Sequence, residues 1–285
     1  MLPISVLLPV YSKVDVDDFV RAYESVEGQT SPADEIIVIV DGPVDAKIEE
    51  FLSSKESDHL TVVRFAENRG LAAGMREGFR VARHRWVARQ DSDDVSLPER
   101  FERQWPVVST GLYAAVGGAM LEFDGDPSNV VRTRVTPSEP EDIARYARTH
   151  NPMSHPTVIF DREAVAEVGG VHDVHYMEDY DLFARLLSRG YRLRNLREAL
   201  VLFNAGDDMF DRRTDSRMAR AERTMQGNLV RYGLISRPRA AFNFALRQGF
   251  RSLPRPLLKF AYQQLFDRGQ QSPGSVRLEA KDASA

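Results

Sequence analysis

The sequence predicts an α/β fold in which a mostly parallel central sheet carries helices on both faces. Three observations lead to this prediction. Short apolar runs rich in Ile and Val alternate with amphipathic segments, several of these runs end at Pro, Gly or Asp, and 42% of the 285 residues are hydrophobic. We expect a main domain over residues 1–210, a helical region over 211–268 and a disordered, polar tail over 269–285.

The individual elements are predicted from hydrophobic periodicity. Residues 4–8 form a continuous apolar run, typical of a strand buried on both faces, and residues 14–29 repeat apolar side chains at helical spacing. Further strands are expected at 35–40, 60–65, 85–89, 113–123, 157–160 and 199–203, and further helices at 46–52, 71–82, 139–148, 180–189 and, punctuated by prolines, from 217 onward. Strands that alternate with helices indicate βαβ units and a parallel sheet.

Charge and cysteine content exclude several classes of function. The net charge is −4 and the pI about 5.9, so we expect no nucleic-acid partner. The chain contains no cysteine, which excludes disulfides, thiolate zinc sites and cysteine nucleophiles. Its apolar runs are shorter than the roughly 18 to 20 residues of a membrane-spanning helix and no leader is recognisable, so we expect a cytoplasmic protein.

The residues that follow the predicted strands are the first candidates for a binding site, because parallel α/β sheets bind ligands beyond the carboxyl ends of their strands. Four segments meet this criterion: Pro9, Val10 and Tyr11; Asp41 and Gly42; Glu67, Asn68, Arg69 and Gly70; and Asp91, Ser92, Asp93 and Asp94. Three of the four segments contain acids. Such a rim suits a phosphate ligand only if a cation lies between them.

Asp91, Asp93 and Asp94 are the strongest metal candidates in the sequence. Three carboxylates this close repel one another, and a hard divalent cation relieves that repulsion. Magnesium commonly takes one or two carboxylates and leaves part of its shell for substrate phosphates. The alternative is a solvated acidic turn that precedes the helix expected to begin near Pro98.

A series of motifs then resembles a known family. The chain contains ISVLLPVY at 4–11, IIVIVDG at 36–42, NRGL at 68–71, DSDD at 91–94 followed by LPER at 97–100, and EDYDL at 178–182. This order resembles inverting family 2 glycosyltransferases of the GT-A fold over roughly residues 4–205. NPMSHPTV at 151–158 and GDDMFDRR at 206–213 are similar to bacterial and archaeal members that build capsule, exopolysaccharide or glycoprotein glycans.

The resemblance implies roles for the rim residues in binding a nucleotide-diphosphate sugar. Pro9, Val10, Tyr11 and Asp41 are expected at the nucleotide base, Asp91 near the ribose, and Asp93 with Asp94 at a Mg²⁺ or Mn²⁺ ion that bridges the diphosphate; Asn68, Arg69, Gly70 and Arg76 are expected nearby. Many members carry an asparagine where this chain has Met75 and Arg76, so the identity of the donor stays open. Asp41 is alternatively an ordinary Asp-Gly turn.

Asp179 matches the family's catalytic base, and Glu178 stands beside it. Both acids open a predicted helix, whose dipole favours the ionised form. Sugar transfer requires neutralisation of the leaving diphosphate, which a metal supplies, and removal of a proton from the acceptor hydroxyl, which a carboxylate supplies. The alternative is an acidic helix start. A glycoside hydrolase would need two carboxylates that flank the scissile bond, and it would leave the DSDD segment unused.

Other charged residues give weaker hypotheses. His150, His155, His172 and His175 lie close together in sequence, with His155 the best candidate, although such histidines are more often ordinary loop or core residues. Arg212 and Arg213 suit a diphosphate clamp, or equally a charged helix surface.

The C-terminal helical region is predicted to contact an anionic membrane near a lipid-linked or oligosaccharide acceptor. Over residues 231–268 it combines apolar residues with basic ones, namely Arg231, Arg237, Arg239, Arg247, Arg251, Arg255, Lys259 and Arg268, against a single acid, Asp267. The alternative is a helical pair that packs on the main domain or on a second subunit. One alternative function is that of a nucleotidyltransferase, although such enzymes usually have a glycine-rich phosphate loop, which residues 8–18 lack. The other alternative is an inactive sugar-nucleotide-binding protein.

Overall fold

The computed structural model describes residues 1–55, 57–205 and 216–251. The strands of the described residues are β1 (Leu2–Val10), β2 (Ala33–Asp41), β3 (Leu60–Phe65), β4 (Trp86–Arg89), β5 (Val95–Ser96), β6 (Ala115–Phe123), β7 (Val130–Arg134), β8 (Ile159–Asp161) and β9 (Leu193–Asn204). The helices are α1 (Val16–Glu27), α2 (Ala46–Ser54), α3 (Leu71–Val81), α4 (Arg100–Val108), α5 (Pro140–Tyr146), α6 (Arg162–Glu167), α7 (Glu178–Ser188), α8 (Ser216–Arg231) and α9 (Arg237–Arg251).

These strands form one sheet in the order β3-β2-β1-β4-β8-β6-β9-β5, and β7 pairs with β6 beside that path. The pairs β1 with β2, β1 with β4, β2 with β3 and β6 with β9 are parallel, and these ladders contain the larger share of the paired residues. β8 runs antiparallel between β4 and β6. The predicted α/β class, with a mostly parallel central sheet and C-terminal helices, is confirmed.

β1 explains why the predicted strands lack an apolar-polar alternation. Ile4, Val6 and Leu8 belong to the hydrophobic core that includes residues of α1, α2 and α4, whereas Leu7 belongs to the core that includes residues of α3, α6 and α7. Because helices cover both faces of the sheet, successive residues of the strand are buried on opposite sides. Because both faces of β1 are packed, its carboxyl end is held in place at the edge of the sheet.

Three short elements were not predicted. β7 lies beside β6 with Val130 and Val131 exposed, so its sequence carries no burial pattern. β5 has two residues and α6 six, which are too few for a periodic signal.

Residues 1–244 form one compact unit. Within it α8, which follows the expected boundary at residue 210, packs against α7 in a hydrophobic cluster that includes Tyr180, Ala184, Met225 and Leu229. The tail predicted to be disordered, 269–285, lies outside the described residues. None of the described helices has the length and apolar character that crossing a membrane requires.

Candidate active site

The four rim segments lie where neighbouring parallel strands end. Val10 at the end of β1 pairs with Val40 of β2, and Leu7 pairs with Arg89, the last residue of β4. Asp41 ends β2 and pairs with Phe65 of β3. Since the carboxyl ends of adjacent parallel strands meet at one edge, the structure brings the segments after β1, β2, β3 and β4 together, as the sequence predicted.

Asp41 holds the loop that connects β3 to α3. The backbone N–H of Arg69 donates to its Oδ1 at 2.6 Å and that of Gly70 to its Oδ2 at 2.9 Å, while Asn68 Nδ2 donates to its carbonyl oxygen at 3.2 Å. Gly42 has a positive φ of 81°, and a Cβ there would lie 2.7 Å from the amide nitrogen of Asn68. The Asp-Gly pair is therefore more than a turn, because it joins two candidate donor-binding segments.

The segment after β4 contains an ion pair. Arg89, nearly fully buried, contacts the carboxylate of Asp91. Asp94 is fully buried, and its Oδ1 accepts the backbone N–H of Asn204 at 2.9 Å. Burial, followed by the charges of Asp91 and Asp93, raises the pKa of Asp94 well above its usual range. Asp94 is thus enclosed by protein, and Asp91 is paired with Arg89.

The three acids of the expected metal ligand set differ in exposure. Within the described residues, no group of three or more His, Asp or Glu side chains is arranged to hold one metal ion. Asp94 points into the protein and Ser92 is buried, which leaves Asp91 and Asp93, both partly exposed, as the carboxylates at the rim. One or two carboxylates with substrate phosphates still match the requirement of Mg²⁺, so the residues fit a metal that arrives with a diphosphate.

Arg100 anchors the metal-candidate segment from inside the protein, a role that the LPER motif did not reveal. Its Nη1 donates to Gln90 Oε1 at 3.0 Å and to Ser96 Oγ at 2.9 Å, and its Nη2 donates to the carbonyl of Arg89 at 2.7 Å. Burial lowers the pKa of Arg100 to about 9. No sequence pattern distinguishes such a buried arginine from a solvated one on the surface of a helix.

The first two acids of the EDYDL motif begin α7, as predicted. Asp179 Oδ2 accepts a hydrogen bond from Asn151 Nδ2 at 2.6 Å, and its Oδ1 accepts the backbone N–H of Tyr180 at 2.7 Å. Burial, followed by the charge of Asp179, raises the pKa of Glu178 to about 7. The charges of Arg89 and Asp91 also act on Glu178, so the start of α7 lies within electrostatic range of the segment that follows β4.

His155 is the histidine that the structure brings to this site. Burial lowers its pKa, and the charges of Asp179, Arg89 and Asp91 act on it. Its Nε2 is buried without a hydrogen-bond partner among the described residues, and its ring meets Phe160 and Phe183 edge-on. The other three histidines have different neighbours: His150 stacks on Tyr146, His172 lies 3.3 Å from Asp181, and His175 contacts Tyr176.

One arginine predicted to contact the donor, Arg76, has a backbone partner in the structure. Arg76 donates from Nη1 to the carbonyl of Val171 at 3.0 Å, so in the structure its guanidinium is engaged by the backbone of another segment. Arg212 and Arg213 lie outside the described residues. Tyr11 is partly exposed at the end of β1, where the sequence placed the nucleotide base.

Comparison with known proteins identifies the family. The family model described as Glycosyl transferase family 2 matches residues 5–169, and the model described as Glycosyl transferase family group 2 matches residues 133–267. An uncharacterized glycosyltransferase of Haemophilus influenzae is 33% identical, with 91% of this chain and 97% of that protein covered. The amylovoran biosynthesis glycosyltransferase AmsE of Erwinia amylovora is 31% identical over 91% of this chain and 98% of its own length.

A more distant relative is an Escherichia coli protein described as UDP-Gal:alpha-D-GlcNAc-diphosphoundecaprenol beta-1,3-galactosyltransferase. It is 27% identical, with 93% of this chain and 96% of that protein covered.

Solved structures share the fold. Staphylococcus aureus TarS 1–349 in complex with UDP-GlcNAc superposes with a TM-score of 0.67 at 16% identity, covering 92% of this chain and 76% of that one. The mannosyltransferase PcManGT of Pyrobaculum calidifontis, in complex with GDP-Man and Mn²⁺, gives a TM-score of 0.62 at 17% identity, covering 95% and 76%. The motif order, the geometry of the rim and these matches agree: the chain belongs to glycosyl transferase family 2 and is a glycosyltransferase.

Proposed function

We propose that the chain transfers a hexose or similar sugar from a nucleoside-diphosphate sugar to a hydroxyl of a lipid-linked glycan acceptor, with inversion of the anomeric centre. The observation that carries this proposal is that Glu178, next to Asp179 at the start of α7, lies within electrostatic range of Arg89 and Asp91. The solved relatives hold UDP-GlcNAc or GDP-Man with Mn²⁺, and the Escherichia coli relative is named for a diphosphoundecaprenol-linked acceptor. The nucleotidyltransferase and inactive-protein alternatives gain no support from these relatives.

The donor is assigned to the carboxyl ends of β1, β2 and β4. Pro9, Val10 and Tyr11 lie at the end of β1, and Asp41, whose carboxylate accepts two backbone N–H groups, has lone pairs left for an N–H of the base. The loop 68–70 faces the same edge. Asp91 and Asp93 would hold the divalent ion, which when bound supplies charge neutralisation for the departing diphosphate.

Asp179 is assigned the proton transfer. The acceptor oxygen forms a bond to the anomeric carbon while the bond from that carbon to the diphosphate oxygen breaks, and the acceptor's proton passes to a carboxylate oxygen of Asp179. The hydrogen bond from Asn151 Nδ2 orients that carboxylate. Glu178, with its pKa of about 7, lies beside it as a second group that can exchange a proton near neutral pH.

An Asp179→Asn variant tests this assignment. We expect it to retain stabilisation by a sugar nucleotide with Mn²⁺ in a thermal-shift panel of UDP-, GDP- and dTDP-sugars, because Asp179 does not hold the donor. Transfer to a lipid-linked acceptor should fall about 10²- to 10⁴-fold, the usual contribution of a positioned general base.

Asp93→Ala is the matched control, since it should lose the metal-dependent thermal shift instead. Full transfer activity in Asp179→Asn would show that the base lies elsewhere. If no nucleotide sugar stabilises the wild-type protein in a metal-dependent way, the donor-site assignment fails.

We further propose a peripheral contact with an anionic membrane through the C-terminal helical region. In the described part of this region, Phe242 is 58% exposed and Leu246 50%, on a helix whose first turn carries Arg237 and Arg239. Basic helices with exposed apolar residues bind anionic bilayer surfaces. Full-length protein should sediment with anionic vesicles more than with zwitterionic ones, and a chain truncated after Ser236 should not. Equal sedimentation of both chains would contradict this contact.

A further inference from the structure

Arg89 is a cation enclosed at the centre of the proposed donor site. It ends β4 with 4% of its side chain exposed, and its Nη2 pairs with Asp91 Oδ1. Nη1 lies 3.4 Å from the sulfur of Met75, and Nε is buried without a hydrogen-bond partner among the described residues. A thioether is a weak acceptor. The carboxylate of Asp91 is therefore the strong partner of this guanidinium.

The position of Arg89 is fixed by its surroundings as well as by this pair. Its backbone N–H donates to the carbonyl of Val158 at 2.8 Å, and its own carbonyl accepts from the buried Arg100 at 2.7 Å. The charge of Arg89 reaches Glu178 and His155 across the rim. The guanidinium is thus held where a second cation bound to Asp91 would have to approach it closely.

We propose that Arg89 is the resident counter-cation of Asp91 and keeps a divalent metal from this carboxylate until the diphosphate of the donor arrives. The inference rests on the proposed function. Two cations at one carboxylate in a poorly solvated site repel each other strongly. A diphosphate changes this balance, because its several anionic oxygens can pair with a guanidinium and a metal at the same time. Metal entry then depends on the nucleotide.

The first test measures Mn²⁺ binding to the full-length protein by electron paramagnetic resonance of the free ion, with and without UDP or GDP. The affinity of the nucleotides for Mn²⁺ in buffer is measured in parallel and subtracted. We expect wild-type protein to bind Mn²⁺ at least about tenfold more tightly with a nucleoside diphosphate. Equally tight binding without any nucleotide would overturn the inference.

The second test removes the guanidinium. Arg89→Met should bind Mn²⁺ without nucleotide at least about tenfold more tightly than wild type, and Arg89→Lys, which keeps the charge, should remain close to wild type. Arg85→Met is the matched control, because Arg85 lies just before the same strand and pairs with Asp161 instead. The gain should disappear in the double variant Arg89→Met/Asp91→Asn, which assigns it to Asp91.

Unchanged Mn²⁺ affinity in a folded Arg89→Met variant, or a gain that persists in the double variant, would overturn the proposal. If Arg89→Met does not fold, the wild-type titrations with and without nucleotide decide the matter. The proposed function fails under a different outcome. If Arg89→Met gains Mn²⁺ affinity but the protein neither binds nor transfers any sugar nucleotide, the counter-cation role of Arg89 is supported and the assigned reaction is contradicted.

Discussion

Glu178 is a carboxyl group that folding moves into a poorly solvated position beside Asp179, and its pKa rises to about 7. Below about pH 4.3, the ordinary pKa of glutamate, the folded and unfolded chains both hold the proton. Between that pH and 7 only the unfolded chain loses it, so the folded state is progressively destabilised as pH rises. Glu178→Gln should therefore increase the free energy of unfolding at pH 8 by on the order of 2 kcal/mol.

The increase should shrink as pH falls towards 5. Urea unfolding at both pH values, in the presence of a chelator, measures this dependence. Glu141→Gln, at an exposed position early in α5, serves as the control and should show no such trend. A change in Glu178→Gln that is the same at both pH values would mean that the carboxyl group does not titrate as described.

Among the elements, α3 packs so closely on β1 that a single methyl group should matter. A Cβ at Gly78 would lie 2.2 Å from Leu7 Cδ1 and 2.6 Å from Cδ2, and Leu7 is fully buried. Gly78→Ala should lower the free energy of unfolding by about 2 kcal/mol, because overpacking exceeds the gain in helix propensity. Chemical denaturation measures the loss.

Gly227 provides the opposite case within α8, because a Cβ there would meet no atom within 4 Å. Gly227→Ala should raise the free energy of unfolding by about 0.5 to 1 kcal/mol. If both variants changed stability in the same direction, the close contact between α3 and β1 would not be the cause. Since α3 follows the loop held by Asp41, this packing also sets the position of a donor-site segment.

At the scale of the whole molecule, Asp181 of α7 connects this helix to α8 and to the residue that follows it. Its Oδ1 accepts from Asn228 Nδ2 and from the Tyr232 hydroxyl, both at 2.8 Å, and its Oδ2 accepts from Arg185 Nε at 2.8 Å. Removing one partner of a buried ion pair leaves the other charge uncompensated. Asp181→Ala should lower the free energy of unfolding by about 3 to 5 kcal/mol and reduce amide-exchange protection in α8 first.

Asp142→Ala, which breaks an exposed pair with Arg145 on α5, is the control and should change stability little. Hydrogen exchange followed by mass spectrometry distinguishes the outcomes. A uniform loss of protection across β1, β2 and α8 in Asp181→Ala would show that the aspartate stabilises the entire fold and does not specifically hold α8.

The alternation of buried strands and amphipathic helices could be predicted from the sequence, because both kinds of element have a local hydrophobic periodicity. The sequence also determined which residues can carry the chemistry. Asp41 and Asp91 lie at or just after the ends of parallel strands, and such positions converge on one edge of a parallel sheet. The family motifs added the order in which the acids are expected to act.

The interaction partner of each charged group could not be predicted from the sequence and is known from the three-dimensional packing. Asp91 pairs with Arg89, Asp94 is buried against the backbone of Asn204, and Asn151 donates to Asp179. These partners come from separate strands, loops and helices in most cases, and burial, neighbouring charges and hydrogen bonds together decide whether a carboxyl group stays ionised. The DSDD motif gives the number of acids, while their solvation and their counter-charges depend on the packing around them.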